Sequence, residues 1–514
     1  MIKADAYEYL SAILDLTFAT LPFVQILFRI LPTFGIILIT FGTTFVIPEA
    51  LALITEDGAS NDFWIPLVLT VLLGACCVAP AALRKQMPEL RPRDGILLVS
   101  LCWTVLPALA CLPFVIYFYE LGKPISWSFA YFEAVSGLTT TGATVLVGLD
   151  DLPYSINFWR CFLQWIGGMG ILVLAVAILP MVSAGAGSLF RAESTGPLKE
   201  SKLTPRIAET AKGLWAVYSA ISLTCLFAYW AGGMSWGDAW LHMFTTMSLG
   251  GLSSHDASFG FFESPTLEWI AIFYMLVASG SFALYFVAFH KRRFMLVFRD
   301  PEWLGSFALL IGASLLIACL ILIHGVYEDP LEALRTALFN TISIGSTTGY
   351  ATTDYNQWPI FAPILMLLLS GVATSAGSTG AGIKMARLII LVKQTRREIM
   401  RMLHPHMVDN LTIGGTPVAN GTVFSVLAFM LVYGGTILAL TFVLLLTDMP
   451  LDTAFSAIVA TVNNAGPGLN EIGPAGNYAG LTDFQATICS LAMILGRLEM
   501  MSFLALLTFE FWRE

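Results

Sequence analysis

Runs of roughly twenty apolar residues, the length a helix needs to cross a hydrocarbon core of about 30 Å, recur along this chain. They fall near positions 34–54, 64–83, 97–119, 158–183, 213–232, 268–290, 303–325, 358–376, 422–446 and 485–510. With 57% hydrophobic and only 12% charged residues, about half the usual charge, the chain cannot form an ordinary water-soluble globule. It reads as an all-α polytopic membrane protein.

Charge placement gives the orientation. Lys and Arg gather at Arg84–Arg93, Arg191–Lys212, Lys291–Arg299 and Lys384–Arg401, whereas Asp62, Asp150, Asp151, Asp256, Glu263, Asp354 and Glu471 lie in the loops between. The positive-inside rule makes the basic segments cytoplasmic, which puts both termini inside and the acidic loops outside. The net charge of −9 disfavours nucleic acid as a partner. All eight cysteines sit in or beside apolar runs without metal-ligand spacing and read as small buried side chains. His242, His290, His324, His404 and His406 likewise lack metal spacing and are expected at interfaces. Residues 1–27 have neither a basic head nor a small-residue cleavage site, so no cleaved signal peptide is expected there.

Four polar, glycine-centred segments interrupt the apolar pattern: "AYFEAVSGLTTTGATV" around Gly142, "AWLHMFTTMSLGGLSSHD" around Gly251, "FNTISIGSTTGYATTDY" around Gly349 and "AFSAIVATVNNAGPGLNE" around Gly466. Aligned on these glycines, they share one frame. Twelve residues earlier stands alanine (Ala130, Ala239, Ala337, Ala454), six earlier a small residue (Ser136, Thr245, Ser343, Ala460), and three earlier a small polar one (Thr139, Ser248, Ser346, Asn463). Each segment begins with a polar start, continues as a helix too short to span a bilayer at 1.5 Å per residue, and lies between two full spans. The frame predicts four parallel span–pore-helix–loop–span repeats around a central pore, plus two extra N-terminal spans. The boundaries are 1–94 for the N-terminal region and 95–212, 213–300, 301–410 and 411–514 for the repeats.

Irregular backbone at membrane depth is tolerated only where protein buries it or where it lines a water-filled cavity. Helix C-termini aimed at an axis carry partial negative charge, glycine lets carbonyls turn inward, and rings of carbonyls can replace a cation's hydration shell. Glycine also serves close packing of membrane helices, but four loops in one register favour a cation filter.

These motifs, with "FWRCFLQWIGGMGILVLAVAILP" (158–180) and "AGSTGAGIKMAR" (376–387), closely resemble the TrkH/TrkG branch of the Trk/Ktr/HKT potassium transporter superfamily, from about residue 30 to the end. The resemblance implies potassium uptake by a homodimer in the bacterial inner membrane, with one pore per subunit and a cytoplasmic TrkA-type ring of nucleotide-binding domains as regulator. It carries the filter over to Thr140, Thr141 and Gly142; Gly250 and Gly251; Thr347, Thr348 and Gly349; and Ala465 and Gly466. The copies are unequal, since Leu249 and Asn464 stand where the first and third have threonine.

Arg497, near the middle of the last apolar run, is a costly charge at that depth. It either faces the pore beneath the filter, as the resemblance implies, or pairs with Glu499. The glycines at 371, 377, 380 and 382 should break the run after the third loop, and the resemblance makes this segment a gate. Gly377, Ser378, Thr379, Gly380, Gly382 and Lys384 are its candidate residues, although Lys384 could equally snorkel to the inner interface. Asp256, Glu263, Asp354 and Glu471 would line a cation-concentrating mouth. No Walker A or dinucleotide motif is present, and no catalytic cluster stands out, so the chain is not expected to be an enzyme. Potassium is its expected ion and membrane lipids its surroundings. The alternative is a proton- or sodium-coupled carrier, which would need isolated carboxylates at mid-membrane; only Glu133 and Glu499 qualify.

Overall fold

The computed structural model describes residues 22–84, 91–183, 207–406, 410–498 and 500–512. The basic segment around Arg191–Arg206 and the proposed ion-pair partner Glu499 lie outside them. Among the described residues, six helices are long and apolar enough to cross a membrane, or seven if one bent pair counts as a single span.

The chain opens with α1 (Pro22–Thr43), α2 (Val46–Thr55) and α3 (Trp64–Arg84). Helices α1 and α3 pack tightly because Gly35 and Gly74 face each other; a Cβ on either would come within 2.6–2.7 Å of the other's carbonyl oxygen. Then follow α4 (Pro92–Ala110), α5 (Leu112–Glu120), the short α6 (Trp127–Leu138) and the long α7 (Tyr154–Ser183). The same order continues with α8 (Ile207–Ala231), α9 (Trp236–Met247) and α10 (Pro265–Ala278), and after α11 (Phe282–His290) with α12 (Pro301–Ile323), α13 (Pro330–Gly345) and α14 (Phe361–Ser370), although α10 and α14 are themselves only 14 and 10 residues long. Beyond α15 (Met385–Leu403) and a two-residue hairpin pairing Thr412–Ile413 with Thr416–Pro417, it closes with α16 (Asn420–Leu445), α17 (Leu451–Val462), α18 (Asp483–Arg497) and two short terminal helices.

The sequence reading expected unbroken spans at 268–290 and 485–510, and there the structure differs; the break it expected in the run after the third loop is present. Helices α10 and α11 meet at 85°. The break falls at Ser279–Gly280–Ser281, where the Ser281 hydroxyl caps the new helix by accepting from Leu284 N at 3.4 Å. The Tyr285 hydroxyl meanwhile donates to the Val277 carbonyl at 2.8 Å. Helix α14 stops at Ser370, and residues 371–384 fold back on themselves. There Ile383 N donates to Gly371 O (2.5 Å) and Met385 N to Thr374 O (2.8 Å), so the backbone groups freed by the break find partners within the segment. Helix α18 ends at Arg497 and a new helix starts at Met501.

The short helices α6, α9, α13 and α17 sit inside this frame, most of their residues fully buried. At 12, 12, 16 and 12 residues they are roughly 18–24 Å long at 1.5 Å per residue, short of a full span. Three start on an N-cap side chain: Ser126 accepts from Phe129 N, Ser235 from Asp238 N and Asp329 from Leu331 N. Besides its own flanking helices, each packs against the helix that follows the preceding short one. Thus α9 lies on α7, α13 on α10, α17 on α14, and α6 on α18 from the far end of the chain. Ala130, Ala239, Ala337 and Ala454 are all 0% exposed, which explains why nothing larger stands at that position.

Candidate functional site

All four short helices end alike. The residue two before each aligned glycine adopts a left-handed conformation: Thr140 (φ 56°), Leu249 (54°), Thr347 (66°) and Asn464 (52°). The next N–H then reaches back to the carbonyl six positions before the glycine. These bonds are Thr141 to Ser136 (2.9 Å), Gly250 to Thr245 (2.9 Å), Thr348 to Ser343 (2.7 Å) and Ala465 to Ala460 (2.8 Å). This is the left-handed C-terminal cap that glycine usually supplies. Here it is built on threonine, leucine and asparagine, at a cost of about 1–2 kcal/mol each, so the surrounding packing must enforce it.

The glycines themselves also have positive φ: Gly142 82°, Gly251 68°, Gly349 91° and Gly466 80°. Each rests on main-chain atoms of the next loop. A Cβ on Gly142 would strike the Gly250 carbonyl, one on Gly251 the Thr348 carbonyl, one on Gly349 the Ala465 carbonyl at 2.6 Å, and one on Gly466 the Thr141 carbonyl at 2.8 Å. All fall below the 3.0 Å that real Cβ atoms keep. The contacts run first to second, second to third, third to fourth and fourth back to first, a closed cycle of backbone against backbone. Asn464 adds a side-chain tie from the fourth loop to the first, donating to Thr141 Oγ1 at 2.8 Å.

A polar residue nine positions before the glycine, which the sequence reading did not use, holds three of the loops from behind. Glu133, fully buried, accepts from Arg160 Nε at 2.8 Å, from the Thr144 hydroxyl and from Val145 N. His242 bonds Ser253 Oγ at 3.0 Å, and Asn340 donates to Thr352 Oγ1 at 2.9 Å while accepting from Thr352 N. The fourth copy has alanine there, Ala457. The four-way alignment holds a polar residue at this position in three copies, but not what it bonds. His242, expected at an interface, is instead 0% exposed in the core. Further supports come from outside the frame: Gln164 donates to Gly250 O at 2.8 Å, and the Tyr478 hydroxyl to Gly466 O at 2.8 Å.

The folded-back segment 371–384 packs against these loops. Thr379 Oγ1 donates to the Met247 carbonyl at 3.2 Å, and a Cβ on Gly380 would lie 3.1 Å from Thr347 Oγ1. Arg497 joins the same place, donating from Nη1 to the Thr379 carbonyl at 2.9 Å and from Nη2 to the Gly167 carbonyl at 3.5 Å. Its guanidinium lies 5.7 Å from the Trp103 ring centroid, and among the described residues no carboxylate pairs with it. Ser378 turns inward to the Ser375 carbonyl at 2.7 Å, and Lys384 lies within electrostatic reach of the buried Glu302. Gly377 accepts from Phe282 N through its carbonyl at 3.0 Å, which ties the segment to the break between α10 and α11.

Two of the outer acids are engaged locally. Asp256 accepts from Gly148 N and Leu149 N, and Asp354 from Asn356 N and the Gln357 amide; Glu263 and Glu471 are exposed.

Apolar spans enclosing buried polar loops make this a multi-pass membrane protein. Residues 61–327 and 328–511 match the model of the TrkH family, described as cation transport proteins, and the chain belongs to that family. It is 41% identical over 485 residues to the Trk system potassium uptake protein TrkH of Vibrio parahaemolyticus, covering 93% of this chain and 98% of that one. To the Escherichia coli K12 TrkH it is 39% identical over 484 residues, with the same coverage. To the TrkG of that strain it is 32% identical over 482 residues, covering 93% and 97%. Its fold matches the crystal structure of the Vibrio parahaemolyticus potassium transporter TrkH with a TM-score of 0.86 at 39% identity, over 95% of this chain and 99% of that chain. These relatives are transport proteins rather than enzymes.

Proposed function

We propose that this chain takes up potassium through a filter made by the four glycine loops, arranged as four span–short-helix–loop–span units around one pore, with two further spans preceding them. The observation that carries this reading is the closed cycle in which each glycine rests on the next loop's backbone. Left-handed residues alternating with ones of negative φ let successive carbonyls turn to one side, and the short helices bring the negative ends of their dipoles to the same place. Thr140, Thr141, Gly142, Gly250, Gly251, Thr347, Thr348, Gly349, Ala465 and Gly466 form the filter. The segment 371–384, with Arg497 bonded to it, is the gate beneath. Among the described residues, Thr347 Oγ1, Asn464 Oδ1 and Arg497 Nε are buried there with no protein partner, and the two oxygens are available to a passing ion or its water. A coupled carrier is less well supported, because Glu133, the one of its two candidate carboxylates among the described residues, is committed to Arg160. The protein acts as a homodimer in the bacterial inner membrane with both termini cytoplasmic, and a TrkA-type nucleotide-binding ring acts on the gate.

Replacing Gly349 or Gly142 with serine tests the filter, since each added Cβ meets backbone or a neighbouring proline within about 3 Å. The potassium-to-sodium flux ratio in proteoliposomes should fall for both variants, and an unchanged ratio in both would refute the assignment.

A further inference from the structure

Four residues beyond Gly251, on the way out of the second loop, His255 bonds a carboxylate with each ring nitrogen. Nδ1 lies 2.5 Å from Asp150 Oδ1, and Nε2 lies 3.2 Å from Asp238 Oδ1. An ionised carboxylate only accepts, so satisfying both contacts requires a proton on both nitrogens, that is, an imidazolium. The two carboxylates come from different places. Asp150 follows the first loop, and Asp238 stands in the first turn of α9, the helix that delivers the second loop.

Among the described residues, the groups bonded to the clamp bring it no other cation. Asp150 also accepts from Asp256 N at 3.2 Å, and the Asp256 carboxylate holds Gly148 N and Leu149 N. Asp238 takes further bonds from the Ser235 and Ser254 hydroxyls. His242 stacks at 6.3 Å from His255, and its ring suits a neutral form, with Nδ1 donating to the Asp238 carbonyl and Nε2 accepting from Ser253 Oγ. Phe261 stacks on the His255 ring with centroids 3.5 Å apart. The His255 side chain is 14% exposed and Asp150 44% exposed, so protons reach the clamp from the loop side.

We infer that His255 is a positioning residue whose imidazolium, held between Asp150 and Asp238, ties the exit of the second loop to the first loop and to the head of α9, so that proton concentration sets how firmly that quarter of the filter is held. The inference rests on the filter reading. Burial draws the imidazole pKa down, but hydrogen bonds and charge from Asp238 and Asp150 outweigh it and hold the pKa above its ordinary value. Burial pushes the Asp150 carboxyl up, yet the His255 contacts and the Asp256 N–H bring it below its ordinary range. With the histidine raised, the clamp is complete below about pH 6.5 and is lost as pH rises through the raised value.

The test is the potassium-to-sodium flux ratio of the full chain in proteoliposomes, with equal pH on both sides from about 5.5 to 9. The wild-type ratio should fall severalfold across the alkaline part of this range. H255Q should be flat at the alkaline value, and D150N should titrate with its midpoint moved to lower pH, having lost one of two charge partners. A flat wild-type profile, or a profile that persists unchanged in H255Q, overturns the inference. If H255Q does not accumulate, D150N decides, and an unmoved midpoint overturns it. Gly349→Ser run alongside separates the two readings. If it lowers the ratio while the wild type is flat with pH, only the His255 role fails; if it leaves the ratio unchanged, the filter reading itself is at fault.

Discussion

Replacing Arg497 with alanine should speed ion flow rather than unfold the protein. The guanidinium makes one good bond to the gate, Nη1 to the Thr379 carbonyl at 2.9 Å; the Nη2 contact with Gly167 at 3.5 Å is at the limit of a hydrogen bond. A single bond from a charged donor contributes about 1.5–3 kcal/mol. Losing it would favour the open gate by roughly 10- to 150-fold at 1.4 kcal/mol per decade. Removing the charge acts in the same direction, since a cation passing at about 6 Å is repelled by roughly 3 kcal/mol at an effective dielectric of 20. Removing one member of a buried ion pair typically costs about 3–5 kcal/mol, but the partners of Arg497 among the described residues are carbonyls, so no opposite charge is stranded among them. Rubidium or potassium flux per folded molecule, normalised by size-exclusion profile, should therefore rise at least tenfold. Arg497→Gln, which keeps a donor and loses the charge, divides the effect between tether and barrier: near wild type if the tether dominates, near alanine if the barrier does. Flux per folded molecule at or below the wild-type value in Arg497→Ala would remove Arg497 from the permeation path.

Gly382→Ala should loosen the folded-back segment, because φ there is +82° and a Cβ would meet the Gly371 and Ser370 carbonyls at 2.7 and 2.8 Å; basal flux should rise while the potassium-to-sodium ratio holds, and unchanged basal flux would count against the gate. Glu133→Gln should cost about 3–5 kcal/mol by leaving Arg160 uncompensated in the core, read as a loss of heat-resistant folded protein in detergent. Asp62, buried in the turn between α2 and α3, has its pKa raised to about 7 by burial and then by Glu120, Glu49 and Asp57. Its folded state therefore holds a proton that the unfolded chain releases near pH 4, and stability should fall as pH rises from about 4 to 7. Asp62→Asn should flatten that dependence and raise the melting temperature at pH 8, and an unaltered pH profile would remove Asp62 as its source.

The sequence disclosed the glycine loops because their backbone leaves a mark that chemistry cannot disguise: four positions where a Cβ has no room. The frame also held the small residue six positions earlier, whose carbonyl closes the cap, and the alanine buried twelve positions earlier. What it did not disclose follows from how side chains find partners. Glu133, His242 and Asn340 occupy one frame position but differ in charge and shape, so their common task of bonding the returning chain shows only in three dimensions. The break at Ser279–Ser281 and the end of α18 at Arg497 were hidden by flanking apolar residues that read as continuous spans. Asp256 and Asp354 looked like a charged mouth because a sequence shows an acid but not the N–H groups that occupy it.

The cycle of loops also has a consequence for assembly in time. Its last contact joins Gly466 to Thr141, and Asn464 bonds the same threonine across 323 residues of chain. At about 5–20 residues per second of synthesis, the first loop waits on the order of half a minute for its final neighbour. Until then the first and third loops each have one side open while the second already lies between its two neighbours, and a chain cut short before the fourth loop could not close the ring. Whatever shields the unfinished ring in the membrane during that interval has to leave once the fourth loop arrives, so the rate at which working protein accumulates should be set by the last fifth of the chain.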